Sequence, residues 1–170
     1  MTRFRRLGGS LMTAAITLGL LVPVVAAMDP VPAGAVIDPP AIISNGTVQL
    51  GVHPEGEINV EGTVPSTGTG ATAVGLRYLP TGAEATAPGC LCEGWGAADA
   101  ISQTSGYANI ATDAGAVNLT VASFVTTPTT AVSVTDVGTA GVNTLRVTHD
   151  YHPSAVSNLY EVTVTIQNTS

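Results

Sequence analysis

The sequence predicts an all-β protein, an antiparallel β-sandwich of immunoglobulin-like or Greek-key type standing behind an N-terminal export signal. Three observations carry this expectation. Eight short segments alternate apolar and polar residues, the period of a strand with one solvated face. Turn residues separate them, with 19 glycines and 11 prolines in 170 residues. No stretch outside the N-terminus keeps a helical period, because Gly, Thr and Pro recur too closely.

Residues 1–27 come first and read as a secretory signal. Arg3, Arg5 and Arg6 precede an uncharged apolar run over 11–27 that ends in Val25-Ala26-Ala27, small residues suited to cleavage before Met28. Gly19 and Pro23 interrupt a run already short for a membrane span, so membrane insertion after cleavage is not expected. Residues 28–41 follow as an extended linker, since Pro30, Pro32, Pro39 and Pro40 exclude helix.

The domain is expected over 42–170. Its predicted strands are 46–52, 57–62, 73–79, 106–111, 117–125, 131–137, 142–151 and 158–168. In 57–62, Ile58 and Val60 alternate with Glu57, Asn59 and Glu61. In 73–79, Val74, Leu76 and Tyr78 share a face. In 142–151, Leu145, Val147, His149 and Tyr151 share one face, and Arg146, Thr148 and Asp150 the other. In 158–168, Tyr160, Val162, Val164 and Ile166 are expected inward, and Glu161, Thr163, Thr165 and Gln167 outward. The segment 152–157 suits a hairpin loop.

Charge narrows the function. Lysine is absent and three of the five arginines lie in 1–27, leaving two arginines against twelve acids, a net charge of −10, in the remainder. Such a surface repels nucleic acid and anionic lipid. The low charged fraction of 10% excludes charge-driven disorder and coiled coils, and two cysteines are too few for a disulfide scaffold.

Few residues are candidates for chemistry. Cys90 and Cys92 are the only cysteines. An exported chain favours a disulfide between them, but a Cys-x-Cys bridge closes a very short loop in strained geometry, so free thiols and metal binding remain open readings. Joined by His149 and His152 they would complete a two-Cys two-His set, provided the strand ends at Tyr151 so that both histidines converge. Trp95, the single tryptophan, reads as a plug for one end of the core or as a platform for a sugar ring. Glu55, Glu57 and Glu61 offer carboxylates for Ca²⁺, or form a solvated acidic edge that blocks strand pairing; the nearby His53 reads as a turn residue. Ser154, His149 and Asp150 lack a Gly-x-Ser-x-Gly elbow, and no phosphate loop or dinucleotide fingerprint occurs, so catalysis is not expected. Asn45-Gly46-Thr47, Asn118-Leu119-Thr120 and Asn168-Thr169-Ser170 match the glycosylation sequon.

Two segments, GCLCEGWG at 89–96 and LRVTHDYHPS at 145–154, with NLYEVTVTI at 158–166, resemble the N-terminal portion of exported bacterial β-rich proteins of an uncharacterised type, some of which carry a C-terminal surface-sorting tail. The resemblance spans about 45–170. It implies secretion, β structure and longer relatives that continue past a strand like 160–166, and it carries over no functional residue. The expectation is therefore a secreted or cell-surface, non-enzymatic structural or interaction module. Its partner would be a protein or polysaccharide at the cell surface, and no cofactor is expected. The alternative is a small secreted carbohydrate- or metal-binding protein, using Trp95 or a Zn or Ca site.

Overall fold

The computed structural model describes residues 36–87, 93–109, 115–139 and 142–170. Residues 1–27, expected as a signal, most of the expected linker and both cysteines lie outside these residues. The described residues all belong to one compact unit. Among the described residues every regular element is a strand.

The strands form three antiparallel sheets. The first runs β1 (Ala41–Ser44), β2 (Val48–Val52), β3 (Leu76–Tyr78), β4 (Ala83–Glu84) in that order. A small sheet joins β5 (Trp95–Asp99), β6 (Thr104–Asn109) and β7 (Gly115–Val117). The longest sheet is ordered β11 (Tyr160–Asn168), β10 (Val142–Pro153), β9 (Ala131–Thr139), β8 (Leu119–Thr126).

Leu145, Val147, His149 and Tyr151 are all buried on one face of β10, as its alternation requires, but Thr148 on the other face is buried as well. Two apolar clusters sit along the first of these faces. In one, Tyr151, Phe124 and Ala131 meet Ile43, Leu50 and Val52 of the first sheet. In the other, Val137, Leu145 and Val147 meet Trp95, Ala97 and Leu119. The long sheet thus shares apolar packing with each of the other two, and the burial of these aliphatic and aromatic side chains drives their association.

Several elements depart from expectation. The segment 117–125 is split, because Asn118 takes φ +52° and separates β7 from β8. Residues 57–62 make single bridges, Val52 to Ile58 and Val60 to Val74, rather than a strand, with Asn59 at φ +85° breaking the extended path. Glu57 and Asn59, placed outward by alternation, are buried at 2% and 0% exposure. Arg77, between Leu76 and Tyr78, is buried too. It pairs with buried Glu84 (3.4 Å) and donates to the carbonyls of Val64 (2.6 Å) and Ala73 (2.7 Å), tying the loop between β2 and β3 to the sheet.

The linker reading also changes at its end. Residues 36–38 are extended but docked on β8. Asp38 N donates to the Phe124 carbonyl, Phe124 N donates to that of Val36, and the Asp38 carboxylate accepts from the Thr126 amide at 2.8 Å. This segment covers the β8 edge of the long sheet. The opposite edge, β11, pairs with β10 alone. Its register sets Val162 opposite Tyr151, Val164 opposite His149 and Ile166 opposite Val147. The three residues therefore lie on the core-facing side, as expected, yet they are exposed at 45%, 49% and 60%. Neither partner sheet reaches far enough to cover them.

Candidate functional site

The site is built around the turn at residues 53–57, which follows β2. His53 N donates to the Glu57 carbonyl and Gly56 N donates to that of His53, both at 2.9 Å, closing a tight loop. Gly56 adopts φ +89°, and a Cβ there would lie 2.6 Å from His149 Nδ1, so glycine is required on both counts.

Four side chains from three distant strands then hold the loop by its carbonyls. Ser133 Oγ of β9 donates to Pro54 O at 2.6 Å. Trp95 Nε1 of β5 donates to Glu55 O at 2.8 Å, and Thr135 Oγ1 of β9 donates to the same oxygen at 3.4 Å. Tyr151 Oη of β10 donates to Gly56 O at 2.7 Å. Such anchoring fixes the backbone from which the loop side chains project.

Those side chains are unusual. Glu57 is buried, and neither carboxylate oxygen has a hydrogen-bond partner. Burial pushes its carboxyl up to about 7, against the opposing effect of its own backbone N–H, and the charge of Glu55 adds to the rise. His149 Nδ1 is likewise buried without a partner, and burial pulls its imidazole down to about 4, which keeps it neutral. Its ring lies 4.8 Å from the Trp95 ring at 55°, and 6.2 Å from that of Tyr151 in a stacked arrangement. Burial, with the Glu57 charge adding, raises the Tyr151 phenol above its ordinary range, so it stays a donor to Gly56. Burial also lowers His53, partly offset by Glu55. Ligand atoms of His53, Glu55 and Glu57 lie within 4.8 Å of one another.

Glu57, His149, Trp95 and Tyr151 also line a cavity of about 320 Å³, whose other walls include Leu50, Ile58, Leu76, Tyr160 and Val162. A second hollow of about 260 Å³, lined by Val48, Leu76, Tyr78, Leu159 and Tyr160, shares Leu76 and Tyr160 with the first. Together they make an apolar groove between β3 and β11, with Glu93 and Glu161 at its rim.

The structure distributes the sequence candidates as follows. Cys90 and Cys92 lie outside the described residues, so the disulfide and the two-Cys two-His set are not placed. β10 continues to Pro153, beyond the Tyr151 end that convergence required, and His149 and His152 point to opposite faces. His152 is bonded locally, its Nδ1 lying 3.2 Å from the Pro153 carbonyl. Trp95 is half-buried, combines core packing with a hydrogen bond to the loop, and turns part of its ring to the cavity. Glu57 is no part of a solvated acidic edge, whereas Glu61 is exposed. Sequence reasoning missed the grouping of His53 with Glu55 and Glu57. The signal was the i, i+2, i+4 spacing of three ligand-type side chains across Pro54 and Gly56.

Comparison with models of known families, with curated proteins and with solved structures found no match.

Proposed function

We propose that this chain is an exported, non-enzymatic module of the cell surface that binds an extended apolar segment of a partner protein by strand addition along β11. In this reading the first and longest sheets face each other as the two layers of a sandwich that is left open at one side. One observation carries it: Val162, Val164 and Ile166 stand 45–60% exposed on the face that the neighbouring strand β10 devotes to the core.

The edge itself supports the reading. The other edge of the long sheet is covered by residues 36–38, and among the described residues β11 has no such cover. Its run Val162-Thr163-Val164-Thr165-Ile166 has high strand propensity and no charge or proline, whereas protected edges carry such residues. An added strand would pair with the free backbone groups of β11 and set alternate side chains into the groove. Glu93 and Glu161 at the rim favour basic residues flanking the apolar ones. A polysaccharide fits less well, because Trp95 commits its Nε1–H to Glu55 O and the walls are aliphatic. Export rests on the signal character of residues 1–27, and no metal or cofactor is needed for strand addition.

The test uses a labelled peptide of alternating valine and threonine with lysine at each end. Fluorescence anisotropy should detect saturable binding to the exported chain, weakened at least tenfold by Val164→Glu. Absence of binding, or equal binding to Val164→Glu, would overturn the proposal.

A further inference from the structure

We propose that residues 53–57 form a binding site for a first-row divalent cation of the zinc type, held by the unprotonated ring nitrogen of His53 and one carboxylate oxygen each from Glu55 and Glu57. This site is independent of strand addition and uses none of the cysteines.

The geometry comes first. A ring nitrogen of His53 and one carboxylate oxygen each of Glu55 and Glu57 already lie within 4.8 Å of one another. Ligands at ordinary zinc distances in a tetrahedron sit about 3.4 Å apart, so small side-chain rotations on a fixed loop close the set. The loop is fixed by the bonds from Ser133, Trp95, Thr135 and Tyr151 to its carbonyls. His53 Nε2 lies 3.2 Å from the Asn59 carbonyl. A carbonyl only accepts, so Nε2 carries the proton and Nδ1 keeps its lone pair, the outer-sphere arrangement that orients metal-binding histidines.

The second argument is the orphaned charge. Glu57 is 2% exposed and neither oxygen has a hydrogen-bond partner. A buried carboxylate must find a donor or a cation, or else take up a proton. The described residues contain two arginines, and both are engaged: Arg77 with Glu84, and Arg146 with Asp136 in two bonds of 2.7 and 2.9 Å. Among the described residues no arginine remains for Glu57, and a divalent ion would balance both glutamates. The ligand chemistry selects the ion. One imidazole with two carboxylates suits Zn²⁺, leaving a position for water, whereas Ca²⁺ and Mg²⁺ prefer all-oxygen sets.

The test is titration of the metal-free, full exported chain with Zn²⁺ and separately with Ca²⁺, followed by calorimetry and native mass. One Zn²⁺ per chain is expected, bound at least tenfold tighter than Ca²⁺, with a rise in Tm. Glu57→Gln and Glu55→Gln should each weaken binding at least tenfold. Glu55→Gln lies at the loop surface and keeps the fold if Glu57→Gln does not. The double variant Cys90→Ser, Cys92→Ser should bind as the parent does. No zinc uptake, or uptake that survives both glutamate variants and disappears with the cysteines or with His152→Ala, would overturn the site.

Discussion

Gly56 occupies a position that no other residue suits. Its φ of +89° strains any side chain, and a Cβ would press on the buried His149 ring. Gly56→Ala should cost about 1–3 kcal/mol from the backbone alone, read as a lower denaturation midpoint at unchanged m-value. His149 and Glu57 make opposite demands on pH in the metal-free protein. Burial lowers His149 to about 4, so its stabilising contribution is present above the unfolded value near 6.5 and is lost as pH falls toward 4. Burial raises Glu57 to about 7, so its contribution is present below the unfolded value near 4.5 and is lost as pH rises through 7. These two slopes oppose each other in the parent, where His53, also lowered by burial, adds to the His149 side. With chelator present, Glu57→Gln should leave stability rising with pH from 4 to 6.5, and His149→Phe should leave it falling from 4.5 to 7. Each slope is at most about 1.4 kcal/mol per pH unit. Parallel profiles in urea melts of both variants would remove the assigned roles. These residues were visible singly in the sequence. Their meeting was not, because Trp95 reaches Glu55 across 40 residues and Tyr151 reaches Gly56 across 95.

The strands divide by how much their own pattern decides. β10 was legible because its alternation coincides with real burial on both sides of Val147. β11 alternates as clearly, and its facing was legible too, but burial depends on whether another sheet extends over it. That depends on the width of the first sheet, which local sequence does not encode. β1 was missed because Ala41-Ile42-Ile43-Ser44 does not alternate and stands behind two prolines. β5 was missed because Trp95-Gly96-Ala97-Ala98-Asp99 consists largely of small residues. The contrast between covered and uncovered strands yields a direct comparison. Phe124→Ala, at 0% exposure, should cost about 3–5 kcal/mol. Ile166→Ala, at 60% exposure, should change stability by no more than about 0.5 kcal/mol. Equal losses in thermal melts would mean that β11 is covered in solution.

For the molecule as a whole, charge and fold act together. With residues 1–27 removed, two arginines face twelve acids, and both arginines are used within the fold. The charges left on the exterior are therefore mainly acidic, which opposes association between copies while leaving an apolar strand open to a basic-flanked partner. All-β character was legible from turn spacing and alternation. The open groove was not, since it arises where the first sheet and the long sheet part, beyond the cluster they share. The most direct measurement of its role is amide hydrogen exchange across Tyr160–Asn168, with and without the lysine-flanked valine–threonine peptide. Strand addition predicts that alternate amides of β11, those pointing away from β10, exchange quickly in the free chain and gain protection with the peptide. Unchanged exchange along β11 at saturating peptide, or protection confined to another strand, would contradict it.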